Sequence, residues 1–342
     1  GRERIVESFP EEFRQGPLDA EAALESYWWG LYSQYGAFER VEVADGGEEV
    51  TVTFHLTHGS EAATVAVDAD GVADVSFAPS YEVPDYVDPD AFTDREATVD
   101  AGDVDLEGVL AVPDGDGPFS GAVLVHGAGI NDPDGTAGNS KILEDVAEGL
   151  ASHGIATLRY AKRLRDHDVA DEAFTFDRVV TDDAVAAVDE LAAVDVVDAA
   201  SVFVVGHSQG GMAAPRIADH HGGVAGVVVL DAPADPTVDP DDLAFMRYGM
   251  DPDGDLTDDQ EAELETQRAT FRRIAAGEYD DDETLMGKPG VWHRTATACD
   301  PAGTAAELEV PTFVAKAGRA DAERQPELLA FVREGVEAWR DA

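Results

Sequence analysis

The sequence holds one cysteine, Cys299, and four lysines, Lys141, Lys162, Lys288 and Lys316, among its 342 residues. A single cysteine excludes an intrachain disulfide and a multi-cysteine zinc site. It fits a cytoplasmic protein, and a cytoplasmic location is the expectation. Runs of about 18 apolar residues are absent, so no membrane-spanning helix and no membrane partner are expected. The opening stretch, GRERIVESFPEEF, has no apolar segment of the kind a signal peptide needs. Basic residues of both kinds number 23, with no basic stripe to neutralise phosphates. Nucleic acid is therefore excluded as a partner.

Acidic residues are abundant instead. The 72 aspartates and glutamates leave a formal net charge of -49. They are scattered through loops, turns and helices, as at Asp114 and Asp116, Asp182 and Asp183, and Asp280 to Asp282. An acidic tail would suggest a basic partner, whereas a uniform coat suggests adaptation to a solvent. Such a coat repels itself at low ionic strength and is screened over about 3 Å at 1 M salt. The sequence reads as that of a halophilic protein working in molar salt. Hydrophobic residues still make up 44% of the chain, enough for a full-sized core.

Two styles of patterning divide the chain near residue 92. Around 18 to 35, Leu18, Ala22, Leu24, Tyr27, Trp28 and Leu31 recur at mostly helical spacing. Alternating stretches follow, Val41 to Val43, Val50 to Leu56, Ala63 to Val67 and Val72 to Phe77, separated by turn residues. A helix with an antiparallel meander, a small α+β domain over 1–92, is the expectation, with a linker near 79–89. From 93 to 342, short apolar strands alternate with amphipathic helices, the pattern of an α/β fold with a mostly parallel sheet. Strands are expected at Ala97 to Val99, Leu106 to Val112, Gly121 to Val125, Ala156 to Tyr160, Val202 to Val205, Val227 to Leu230 and Thr312 to Ala315. Helices are expected at 140–153, 178–193, 209–220 and 326–340. A helical, acidic insertion at about 237–295 reads as a lid.

One motif carries chemistry. Gly206-His207-Ser208-Gln209-Gly210 is a G-x-S-x-G pattern between an expected strand and an expected helix. That context lets a serine stand on a sharp turn, with flanking glycines permitting close approach and a helix N-terminus facing a developing oxyanion. An ordinary glycine turn would share the pattern without the chemistry. A second motif, His126-Gly127-Ala128-Gly129, ends another strand. Its loop can offer the Ala128 N–H, or that of Gly129, to the oxyanion, with the Gln209 N–H as the other donor. His126 is expected to brace the loop by hydrogen bonds and to move no proton. The acid should follow the serine in the chain. Asp321, after the strand at Thr312 to Ala315, is the candidate, against the reading that it is one surface aspartate among many. Asp231 is the runner-up.

The base is harder to place. None of the nine histidines follows Asp321. His207 is the variable residue of the elbow, His153, His220 and His221 end helices, His167 sits in a charged loop, and His55 and His58 belong to the first region. His293 lies in the insertion. A serine without a base is a poor nucleophile. One more strand and a histidine loop beyond residue 342 are therefore expected.

The sequence resembles α/β-hydrolases of the esterase and dienelactone-hydrolase-like branch that carry a small N-terminal α+β domain. The resemblance rests on Gly117-Pro118-Phe119 leading to Val125-His126-Gly127-Ala128-Gly129 and Asn131-Asp132. It continues through Leu158-Arg159-Tyr160 with Lys162-Arg163, Gly206 to Met212 with Ala214-Pro215-Arg216, and Asp300-Pro301-Ala302. It implies Ser208 as nucleophile, Asp321 as acid and a final histidine loop. The expected activity is hydrolysis of a small-molecule carboxylic ester through an acyl-enzyme, with no metal or organic cofactor. A serine peptidase, a thioesterase, or a non-catalytic binding protein on the same scaffold are the alternatives.

Overall fold

The computed structural model describes residues 31, 35–44, 49–57, 59–68, 71–76, 81–137, 140–251, 253–318 and 320–341. The helix expected around 18 to 35 lies outside them, apart from Leu31 and Tyr35. By internal contacts the chain divides into two compact units. One comprises 1–80, 244–264 and 319–330, the other 81–243, 265–318 and 331–342. Both are discontinuous in sequence, whereas the change of pattern near residue 92 suggested a single cut.

The first unit contains the antiparallel meander. Strands β1 (Phe38–Ala44), β2 (Glu49–Leu56), β3 (Gly59–Asp68) and β4 (Gly71–Ser76) pair in chain order. Leu31, Leu56 and Ala63 are buried there. The short helix α4 (Ala244–Met250) also belongs to this unit, and its Tyr248 hydroxyl donates to the Glu327 carboxylate.

The second unit is built on a seven-stranded sheet. Its strands are β5 (Phe92–Asp100), β6 (Asp105–Pro113), β7 (Phe119–Val125), β8 (Ile155–Tyr160), β9 (Val197–His207), β10 (Val227–Leu230) and β11 (Thr312–Ala315). The order is β11-β10-β9-β7-β8-β6-β5. The pairs from β8 through β11 are parallel, and β5 and β6 form an antiparallel edge. Expected strands and observed strands coincide in place. β5 is longer than expected because Thr93 to Glu96 are polar and mostly exposed, yet pair along β6.

Strand apolarity on both faces follows from helices on both faces. Ala122 and Leu124 of β7 pack with Leu143 and Ala147 of α1 (Ile142–Ser152). The alternate residues Val123 and Val125 join the other side, against α2 (Asp182–Ala192) and α3 (Gln209–His221). Ala184, Ala187, Val188 and Leu191 of α2 and Ala213, Ala214 and Ile217 of α3 are fully buried there. The helix expected from 178 begins instead with a wider π-helical turn, Asp177–Thr181, before α2. The insertion between β10 and β11 contains α4, α5 (Asp258–Ala276) and α6 (Gly290–Thr297), with a two-residue hairpin joining Thr284–Leu285 to Lys288–Pro289. Helices α7 (Pro301–Glu307) and α8 (Pro326–Asp341) flank β11. Among the described residues no helix is long and apolar enough to cross a membrane.

Candidate active site

Register aligns the ends of the parallel strands. Gly206 lies opposite both Val125 and Val229, and Arg159 opposite Leu124. The loops after β7, β8, β9 and β10 therefore emerge side by side at the carboxyl end of the sheet, where open α/β folds bind ligands. Those loops carry His126 to Gly129, Lys162, Ser208 and Asp231.

Ser208 links β9 to α3 at φ 52° and ψ -115°. This is a region L-residues avoid, and such strain costs about 1–3 kcal/mol. The surroundings impose it. The Ser208 N–H donates to the Leu230 carbonyl at 2.9 Å, and the Ser208 carbonyl accepts from the Met212 N–H at 2.9 Å. The elbow fits only because its flanks lack side chains. A Cβ on Gly206 would collide with the backbone of Gly210, and one on Gly210 with the carbonyls of Val125 and His126. The chain thus turns from strand to helix in one residue, with the serine at the apex. Ser208 is partly exposed. As the first residue of α3, Gln209 has an N–H with no acceptor within the helix.

The loop after β7 passes directly beside the elbow. A Cβ on Gly127 would lie 3.3 Å from the Ser208 Cβ and 3.4 Å from His207 Nδ1. His126 is buried, and burial with the nearby Lys162 charge pushes its pKa down to about 3. It is a neutral ring. The hydrogen bonds expected of it are poorly formed, since neither ring nitrogen has a partner of good geometry. Instead it packs on the Tyr160 ring, with centroids 5.1 Å apart. His126 braces the loop by shape.

Lys162 is the residue that pattern reading passed over. It follows β8 and is only 2% exposed. Its Nζ donates to the Gly127 carbonyl at 2.9 Å and to Gln209 Oε1 at 2.7 Å. Asn131 Nδ2 also donates to the Gly127 carbonyl, at 3.2 Å. A planar trans peptide directs its N–H opposite to its C=O. Pinning the Gly127 carbonyl therefore fixes the direction of the Ala128 N–H. One ammonium thus connects the loop bearing one candidate oxyanion donor to the residue bearing the other. Burial, helped by the charge of Lys288, pulls its pKa down to about 7. No sequence periodicity reports this contact, because Lys162 reaches residues 35 and 47 positions away.

The remaining loop is held by ion pairs. Arg163, 1% exposed, donates through Nε to both carboxylate oxygens of Asp183 at 3.1 and 2.9 Å. Arg159 donates to Asp94 and Asp134, each at 2.9 Å. Asp231 follows β10 with φ 48°, and its Oδ1 accepts from the Ala317 N–H at 3.2 Å and lies 3.0 Å from Lys316 Nζ.

Asp321 belongs to the first unit. Its Oδ1 accepts from the N–H groups of Glu323 at 2.9 Å and Arg324 at 3.1 Å, and these hydrogen bonds hold its pKa below the usual range. Its carboxylate thereby shapes the turn that leads into α8, a local duty the sequence did not suggest. His293, on α6, donates from Nε2 to the Leu285 carbonyl at 2.8 Å, which places the proton on Nε2. It also lines a cavity of about 220 Å³ that reaches Gln209 and Met212 at the start of α3. Among the described residues no cluster of three histidine, cysteine or carboxylate side chains is placed to hold a metal ion.

The profile of the alpha/beta hydrolase family matches residues 122–342. The chain belongs to this family. Esterase EstD of Thermotoga maritima is 33% identical over 310 residues, covering 87% of this chain and 71% of that protein. Among solved structures, esterase Est22 is 22% identical over 72% of this chain and 69% of its own, with a TM-score of 0.43. Est1E of Butyrivibrio proteoclasticus is 16% identical over 64% of this chain and 77% of its own, with a TM-score of 0.40. The matched region of this α/β-hydrolase begins within β7 and includes the elbow and every loop of the sheet end described above.

Proposed function

We propose that this α/β-hydrolase is a serine esterase that hydrolyses carboxylic esters through an acyl-enzyme on Ser208. The observation that carries the proposal is the strained apex at Ser208, φ 52° and ψ -115°, built between two glycines at which a Cβ would collide with backbone. A fold keeps such strain where a side chain must stand clear of the backbone. The 33% identity to an esterase supports the reaction class.

In the proposed reaction Ser208 Oγ attacks the ester carbonyl carbon and its proton passes to a histidine base. The oxyanion accepts from the N–H groups of Gln209 and Ala128, each such donor being worth about 2.7–4 kcal/mol of barrier. The alcohol leaves with the proton, and water then attacks the acyl-enzyme by the reverse sequence. Asp321 is proposed to orient the base. Gly127 supports the oxyanion loop, His126 packs beneath it, and Lys162 fixes its peptide plane. The test is hydrolysis of 4-nitrophenyl butyrate by the wild type and Ser208→Ala, with circular dichroism on both. A folded Ser208→Ala variant that keeps most of the wild-type rate refutes the assignment.

A further inference from the structure

Lysine is scarce in this acidic chain, so the surroundings of each one carry information. Lys141 pairs with Asp134 and Glu144, and Lys316 pairs with Asp231. Lys162 is spent on two neutral oxygens beneath the elbow. Lys288 has no hydrogen-bond or carboxylate partner among the described residues, in a protein with 72 acidic side chains. Its Nζ sits 4.0 Å from the centroid of the Trp292 ring. Both residues line the cavity that reaches Gln209, the residue after Ser208.

The position is built. Lys288 follows the tight turn Met286–Gly287, in which both residues have positive φ, 48° and 74°. That backbone suits a two-residue hairpin and is costly for methionine. The paired residue Leu285 is buried, and its carbonyl is held by His293 Nε2. Hairpin and α6 are thereby locked together, with the ammonium laid over the indole. Burial alone, with no neighbouring carboxylate, pulls the Lys288 pKa below its ordinary value. An anion arriving in the cavity would meet a partly dehydrated ammonium that gives up no existing ion pair, which favours charge-assisted binding. The apolar lining, including Met212, Phe271 and Ile274, suits a short hydrocarbon spacer between that anion and the reacting carbonyl.

We infer that this cavity selects esters that carry a carboxylate on a short aliphatic chain, and that Lys288 is the residue that binds it. The inference rests on the proposed esterase reading and names its substrate class. Long-range repulsion from the net charge of -49 opposes an anionic substrate, and salt removes that repulsion while leaving the cavity's ammonium in place.

The test uses the full chain in about 2 M KCl, where the screening length is a few ångströms. Two probes share a spacer, 4-nitrophenyl hydrogen glutarate and the neutral 4-nitrophenyl hexanoate. Binding of the non-hydrolysable acid N-butylglutaramate is measured by calorimetry alongside. Lys288→Met is expected to lower kcat/KM for the glutarate, and affinity for the glutaramate, by about 10- to 100-fold, the range of a charged hydrogen bond. The hexanoate should change less than about twofold, and Lys288→Arg should recover part of the loss. Equal effects on both esters, or undiminished glutaramate binding by Lys288→Met, overturn the inference. Ser208→Ala separates it from the parent reading. Loss of turnover with retained glutaramate binding supports both, and persistent turnover by Ser208→Ala removes the Ser208 mechanism while the Lys288 comparison still decides the anion site.

Discussion

Replacing Lys162 with methionine should reverse the sign of its effect on stability across the alkaline range. The wild-type ammonium is buried, and its pKa falls from 10.5 to about 7. That drop corresponds to about 5 kcal/mol of penalty on the charged form. Below about pH 7 both folded and unfolded chains hold the proton, so the folded state carries the full penalty. Between about 7 and 10.5 the unfolded chain binds the proton and the folded chain does not. Stability therefore rises with pH through that window. Methionine fills a similar volume and removes the slope. It also strips Gln209 Oε1 of its hydrogen bond, a loss of about 1–3 kcal/mol, while the Gly127 carbonyl keeps Asn131. The variant should thus be more stable than wild type by a few kcal/mol near pH 6.5 and less stable by about 1–3 kcal/mol near pH 10.5. Urea unfolding of both proteins at fixed high salt across that range reads the difference directly. Parallel curves would refute the buried-ammonium account. Activity should fall at every pH, because the Ala128 peptide loses an anchor whatever the charge.

Other outcomes follow from the same geometry. Ser208→Gly should be more stable than Ser208→Ala by about 1–2 kcal/mol, because glycine tolerates φ 52°; equal unfolding midpoints would mean the apex is unstrained. Gly210→Ala should lower stability by about 3 kcal/mol or more through its clash with the Val125 carbonyl, and thermal unfolding would show it. Arg163→Met should cost about 3–5 kcal/mol by leaving buried Asp183 unpaired, whereas loss below about 1 kcal/mol would show that water reaches that carboxylate. The thermal midpoint should rise between about 0.1 and 3 M KCl as the acidic coat is screened; a flat response would remove the halophilic reading.

Much of this structure is legible in the sequence, for reasons that differ by element. Strands β7, β9 and β10 are apolar on both faces, so they stand out as short runs between turn residues. The elbow is legible because a local motif fixes it. Gly206 is needed by close backbone approach within five residues, at Gly210, and Gly210 by its approach to the Val125 and His126 carbonyls. The bracing of that elbow is not legible, because it is made by long side chains crossing between loops. Lys162 joins Gly127 to Gln209, and the sequence marked it only as a scarce lysine after a buried strand, within a stretch that carries the family resemblance. Lys288 was invisible for a different reason, since its significance is the lack of an acid beside it among the described residues. His126 shows the converse limit. The motif placed it in the loop, where it packs on Tyr160 and its ring nitrogens lack a well-formed hydrogen-bond partner. The capping duty of Asp321 was hidden by the many other aspartates in the chain.

The central claim is that Ser208 forms the covalent intermediate. The most direct measurement is reaction of the full chain with a fluorophosphonate, followed by proteolysis and mass spectrometry. The account predicts one adduct, on the peptide containing Ser208, absent from a folded Ser208→Ala variant and blocked by prior ester substrate. An adduct on another residue, or unlabelled Ser208 in protein that hydrolyses esters, would contradict it.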